Sequence, residues 1–299
     1  MYIATHRKLF FWITGLILAV AVAAIIVYGL PLGIDFTGGS LMEVSYQGAL
    51  PPLSTIQKEI STVPLGAVSV TDFGSNGVSI RTLSMTPAEH VAVLAAISQN
   101  ASTTELSYTS VGPTLGSEFA HKAIWAIIAV IIAIILYIAF AFRKVSRPVS
   151  SWGYGLTVIA ILVHDLLIPA GFFAILAHFT GANVDSLFVT ALLALLGYSV
   201  NDTIIIFDRI REHLRNNEKA NIKEPFENTV GKSISETMTR SINTSLTVVL
   251  ALLVLVLLGA PATADFALVM LVGVIAGTYS SILLAAPLLV PLSRWFIKK

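Results

Sequence analysis

The sequence predicts a polytopic α-helical membrane protein, six transmembrane helices with one small α+β domain between the first and the second. Three observations predict it. Of the 299 residues 56% are hydrophobic and only 12% charged, where a soluble domain carries about a quarter charged residues. Six nearly uncharged stretches reach the roughly 20 residues that a helix needs to cross a bilayer. Between the first two lies a polar segment, residues 31–121, whose apolar positions follow strand and short-helix periods.

Composition also excludes several function classes. The net charge of +1 gives no bulk electrostatic case for nucleic acid. With no cysteine, disulfides, thiol catalysis and cysteine-ligated metal are ruled out. Six scattered histidines form no metal-ligand spacing.

The spans are Leu9–Leu30, Ile124–Phe142, Trp152–Ala177, Leu187–Phe207, Ile242–Ala260 and Phe266–Pro291. The first follows Arg7 and Lys8 and competes with a signal-peptide reading. Its apolar run is about 22 residues against roughly 7–15 for a signal core, which favours a retained anchor. Basic residues set the direction. Arg7, Lys8, Arg143, Lys144, Arg147, seven residues from Arg209 to Arg240, Arg294, Lys298 and Lys299 place 15 of the 18 on one side. Only Lys58, Arg81 and Lys122 lie on the other, with seven acids from Asp35 to Glu118. Both termini are therefore expected in the cytoplasm, and residues 31–121 in the periplasm.

Within residues 31–121 the order is strand Ser40–Gln47, helix Leu53–Thr62, strands Ala67–Phe73 and Val78–Leu83, helix Pro87–Gln99 and strand Glu105–Val111. Ser75–Gly77 supplies a hairpin turn, and Thr86-Pro87 with Glu89 marks a helix start. The order βαββαβ is that of a ferredoxin-like split unit. His90 and Glu89 have no serine partner, so a binding or mechanical module is expected rather than an enzyme. Gly33, Asp35, Gly38 and Gly39 precede the first strand and read as a tight turn. A phosphate-cradling loop fits poorly, with no helix following and no lysine near.

Several polar residues lie inside the spans. His164-Asp165 sits in the third, and Tyr198-Ser199-Val200-Asn201-Asp202-Thr203 in the fourth. An ionised aspartate at a helix centre costs about 2.5–3.5 kcal/mol on insertion scales and so faces other helices or water. Asp202 lies five residues before Phe207, roughly 8 Å inside the edge. Arg240 opens the fifth span at that edge, where its long stem could reach Asp202, and Asn243, Thr244 and Ser245 continue a polar strip. The bland alternatives are a juxtamembrane charge for Asp202, a topological anchor for Arg240 and a structural hydrogen bond for Asp165, with His164 its adjunct. Gly153, Gly155, Gly171, Gly197, Gly273 and Gly277 are expected to let helices approach closely.

Two segments go beyond composition. Gly33-Ile34-Asp35-Phe36-Thr37-Gly38-Gly39-Ser40 and the run from Gly197 to Glu212 resemble signatures of the SecD/SecF family, in its SecF branch. Val163-His164-Asp165 and Glu236–Thr244 are similar to it as well. The resemblance covers nearly the whole chain, and a fused SecD–SecF chain would be far longer. It implies half of a resistance–nodulation–division type transporter, completed by SecD. The implied activity is preprotein export driven by the proton motive force, with the proton gradient as energy source and no cofactor. Asp202 is then the proton-linked acid and Arg240 its basic partner, with Asp165 and Asn201 in the same relay. Partners implied are SecD, the SecYEG channel, SecA, YajC, YidC, the preprotein and membrane lipid. Two alternatives stand: a small-molecule or lipid exporter half of the same superfamily, and a passive scaffold.

Overall fold

The computed structural model describes residues 2–99, 101–142 and 149–297. The predicted basic positions Arg143, Lys144, Arg147, Lys298 and Lys299 lie outside the described residues. The chain forms two compact units: Met1–Gly29 with Ala126–Ile175 and Phe188–Lys299, and Leu30–Trp125 with Leu176–Leu187.

Helices make up the first unit. A short α1 (Tyr2–Thr5) precedes α2 (Arg7–Tyr28). Later come α6 (Pro113–Ala141), α7 (Ser151–Thr180), α8 (Ser186–Lys219), α9 (Phe226–Leu258), α10 (Ala264–Ser280) and α11 (Ala286–Ile297). α10 and α11 are joined by a π-helical turn, Ser281–Ala285, so among the described residues six runs are long and apolar enough to cross a membrane. Three of them overshoot the predicted spans: α6 starts at Pro113 instead of Ile124, and α8 and α9 run on past the expected edge. At 34 and 33 residues, α8 and α9 are each about 50 Å long, against a hydrocarbon core of about 30 Å. The excess on α8 is charged but helix-forming, and its ion pairs follow helical spacing: Asp208 with Arg211 and Arg209 with Glu212. Arg209 and His213 also meet Glu236 of α9. The stretch that reads as a loop is thus mostly a helical hairpin, turning only between Ala220 and Pro225.

Tight contacts hold the helices. Phe142, Tyr154 and Phe207 form a buried aromatic trio, with centroids 5.1 Å apart for the stacked Phe142–Tyr154 pair. A Cβ on Gly171 would come within 2.5 Å of the Ala21 Cα, and one on Gly277 within 2.9 Å of the Ser199 Cβ. Gly273 is packed as tightly against Leu195. Small residues here let backbones touch. Gly155 and Gly197 meet nothing within 4 Å among the described residues and do not serve that purpose there.

The second unit holds the sheet. A one-turn α3 (Ile34–Thr37) leads into β1 (Gly39–Tyr46), α4 (Leu53–Ile60), β2 (Val68–Phe73), β3 (Gly77–Thr82), α5 (Pro87–Ile97) and β4 (Thr103–Val111). The strands lie in the order β2-β3-β1-β4 with every neighbour antiparallel, an order compatible with a ferredoxin-like split βαββαβ unit. Alternation puts Met42, Val44 and Tyr46 of β1 and Val78 and Ile80 of β3 on one face, under Ile56 and Ile60 of α4 and Val93 and Ile97 of α5. α5 starts as expected: Glu89 N–H donates to Thr86 Oγ1 while Glu89 Oε2 accepts from Thr86 N–H at 2.7 Å. The β2–β3 turn is Gly74–Asn76 rather than Ser75–Gly77, because Gly74 carries the left-handed φ of +64° and Gly77 already pairs with Phe73.

Candidate functional site

Two buried carboxyl groups stand among the membrane helices, and their surroundings differ. Asp165 on α7 is 1% exposed and is held on both oxygens. His164 Nδ1 lies 2.7 Å from its Oδ1, and Ser199 Oγ of α8 donates to its Oδ2. The other ring nitrogen of His164 faces the Tyr279 hydroxyl of α10 at 3.0 Å, with the two rings set edge to face. Pro169, inside α7, has no N–H to give the Asp165 carbonyl, which frees a backbone acceptor one turn away.

Asp202 on α8 is 3% exposed and is loosely held. Its one side-chain hydrogen bond among the described residues comes from Ser245 Oγ of α9, donating to Oδ2 at a long 3.5 Å. An ionised carboxylate can accept about four hydrogen bonds, so this group is under-satisfied. Ser245 is itself shared: Thr278 Oγ1 donates to it at 2.6 Å and the Tyr198 hydroxyl at 3.2 Å. The hydroxyl of Ser241, one turn earlier on α9, is buried beside the carboxyl without hydrogen-bond geometry to any partner.

The structure does not join Asp202 and Arg240 in an ion pair among the described residues. Arg240 is exposed, though near enough for its charge to act on Asp202 through space. Asn201 is exposed and turns away from the buried set, as its place one residue before Asp202 on a helix requires.

The site also includes residues that sequence reasoning passed over, chiefly Thr278, Tyr279 and Ser281. Thr203 Oγ1 lies 2.8 Å from Ser281 Oγ, which reaches the Ser199 carbonyl at 3.5 Å. The signal was present: Gly277-Thr278-Tyr279-Ser280-Ser281 is a polar run inside an apolar span. It continues into the π turn, a form of helix that recurs at functional positions.

Gly33, Asp35, Gly38 and Gly39 cluster in the second unit. The tight turn takes the form of the one-turn α3, which carries Asp35 between Gly33 and Gly38, and Thr37 Oγ1 donates back to the Gly33 carbonyl at 3.0 Å. Gly38 ends that helix at φ 74°, ψ 165°, a region open essentially to glycine alone. A Cβ there would lie 2.6 Å from Pro113 Cα, where α6 begins. Gly39 has φ +133°, and its Cβ would lie 2.7 Å from the Thr82 carbonyl oxygen of β3. Asp35 Oδ2 accepts from the Ser186 N–H at 2.8 Å. Nearby Arg81 donates to Asn183, and burial pushes its guanidinium below the usual range.

Comparisons with known proteins show the family. Residues 91–295 match the family described as protein export membrane protein SecD/SecF, C-terminal, and residues 23–49 match the SecD/SecF GG motif. The protein translocase subunit SecF of Thermobaculum terrenum is 38% identical over 96% of this chain and 92% of its own. That of Anaerolinea thermophila is 38% identical over 95% and 91%. Among solved structures, SecDF of Thermus thermophilus, a translocon-associated membrane protein, superposes with a TM-score of 0.85 at 27% identity. The match covers 98% of this chain but 39% of that one, so the chain spans well under half of the SecDF polypeptide. With both family descriptions matched and SecF relatives aligned over nearly their full length, the chain belongs to the SecD/SecF family of protein export membrane proteins, as a SecF-type translocase subunit.

Proposed function

We propose that this subunit works with SecD to draw preproteins across the bacterial cytoplasmic membrane, using the proton motive force and no cofactor. The observation that carries the reading is the contrast between the two buried carboxyls. Asp165 is satisfied on both oxygens and positions α7 against α8. Among the described residues, Asp202 has one long hydrogen bond, an idle hydroxyl beside it and no ion-pair partner. A carboxyl so placed changes partners readily as it gains or loses a proton. Arg240, approaching along α9, would favour the anion and, withdrawing, release it. The two states of Asp202 then correspond to two placements of α8 and α9.

The driving energy is adequate. One charge crossing about 150 mV is worth roughly 3.5 kcal/mol. That shifts a two-state equilibrium by roughly 10²–10³-fold. In this reading both termini are cytoplasmic, the sheet domain is periplasmic and handles the preprotein mechanically, and no covalent chemistry is performed. Export would follow the SecA–SecYEG stage, with YajC and YidC as further neighbours.

The test is Asp202→Asn in the SecD-containing complex. Co-purification with SecD stays intact, and the part of export that responds to an imposed proton gradient disappears. Gradient-stimulated export at the wild-type rate would overturn the proposal, and would leave a passive scaffold as the better reading.

A further inference from the structure

We infer that Asp35 and the Pro31–Gly33 backbone form a latch that holds the residues opening α8, so that α8 cannot shift without drawing the Gly33–Gly39 segment with it. The inference rests on the reading that α8 moves during the export cycle.

The contacts join segments more than 100 residues apart in sequence, and they are of three kinds. The first is backbone pairing, a parallel bridge between Leu32 and Val184. Gly33 N–H donates to the Val184 carbonyl at 2.7 Å, and Val184 N–H donates to the Pro31 carbonyl at 2.8 Å. The second is ionic: Asp35 Oδ2 receives the N–H of Ser186, the first residue of α8. The first four N–H groups of a helix lack partners within it, and a carboxylate is favoured at that positive end. The third is Arg81 of β3, which donates to Asn183 Oδ1, while Asn183 Nδ2 donates to the Gly181 carbonyl at 2.7 Å and braces the turn.

The glycines fit this reading better than that of a turn alone. Entry into β1 needs Gly38 and Gly39, which carry the unusual φ values. Gly33 has no such φ, yet a Cβ on it would lie 2.7 Å from the Val184 carbonyl oxygen. Gly33 is therefore spent on the close approach of the two segments. Asp35 likewise points its carboxylate at Ser186 rather than at the turn. Ser186 and Asp202 belong to one unbroken helix, sixteen residues or ~24 Å apart. An axial shift at the carboxyl therefore reaches Ser186, and through the latch reaches β1.

The chain has no cysteine, so Leu32→Cys with Val184→Cys supplies a unique thiol pair across the bridge. The protein is purified with SecD and placed in proteoliposomes. Asp35→Ala is expected to speed amide exchange at Ser186 at least tenfold and to lower gradient-dependent export several-fold. Asp35→Asn, which keeps an acceptor, falls between. Oxidising the cysteine pair in the Asp35→Ala background should restore export to within about twofold of the reduced, Asp35-containing pair. Unchanged exchange in Asp35→Ala, or an export deficit that oxidation does not repair, overturns the latch. So does loss of export when the pair is oxidised with Asp35 present, because the bridge would then have to open in each cycle. The exchange measurement does not depend on proton coupling, so a failure of the Asp202 reading would leave the structural half of the test standing.

Discussion

Replacing Gly38 by alanine isolates how much the double glycine contributes to folding of the sheet domain. Two penalties add. The backbone at φ 74°, ψ 165° costs a residue with a Cβ about 1–3 kcal/mol. The new methyl also lies 2.6 Å from Pro113 Cα and 2.8 Å from its nitrogen. Neither is a flexible side-chain end, and overpacking of that kind adds about 1–3 kcal/mol. The sum, about 4 kcal/mol, is a large share of the roughly 4–12 kcal/mol available to a domain of about 80 residues. At about 4–8 °C per kcal/mol, the midpoint should fall by something on the order of 20 °C. Gly48→Ala is the control in the same domain: its φ is +121°, but nothing lies within 4 Å of the added carbon, so only backbone strain applies. Thermal proteolysis of the sheet domain within the full-length protein reads both. Midpoints within a few degrees of each other would refute the packing half of the reasoning.

Other expectations follow from the same contacts. Gly277→Ala should push α10 from Ser199 and lower the stability of the helical unit by about 1–3 kcal/mol. Gly155→Ala, which meets nothing within 4 Å, should leave it unchanged or raise it by up to about 1 kcal/mol through helix propensity. Equal effects in a detergent melt would show that the close approach does not matter. Glu43, beside the register shift between β1 and β4, has its carboxyl pushed up from 4.5 by burial. The folded domain therefore holds that proton more tightly than the unfolded chain, and its contribution turns unfavourable as pH rises past 4.5. Glu43→Gln should then stabilise the domain at pH 7 and lose that advantage near pH 4, as read from melts at both values. Glu89 runs the other way, held down by its bonds to Thr86. Glu89→Gln should destabilise α5 at pH 7, with the difference shrinking as the solution is acidified.

Much of this was legible in the sequence, and the limits have physical causes. Hydrophobic length gave six spans, and alternation along Met42–Tyr46 and Val78–Ile80 gave the strands to within a residue or two. Helix ends were the weaker part. Charged residues after Phe207 mark the edge of lipid, but Asp208, Arg209, Arg211 and Glu212 pair at helical spacing and carry α8 onward. The two carboxyls stood out because a charge inside a span is costly. Their partners did not, since hydroxyls on Ser199, Ser245 and Thr278 are common and inexpensive in membrane helices. The contact of Asp35 with Ser186 could not be read at all from a single chain, because no local pattern links positions so far apart.

The hydroxyls of the last crossing have a consequence of their own. Thr278, Tyr279 and Ser281 each engage a different neighbour, α9, α7 and α8 respectively. A helix with 3.6 residues per turn advances about 100° per residue, so turning α10 together with its π-helical turn by one such step would dislodge all three at once. That helix therefore has a single allowed azimuth for a given set of neighbours. The surroundings of Asp165, through His164, and of Asp202, through Ser245, are consequently both tied to that one crossing.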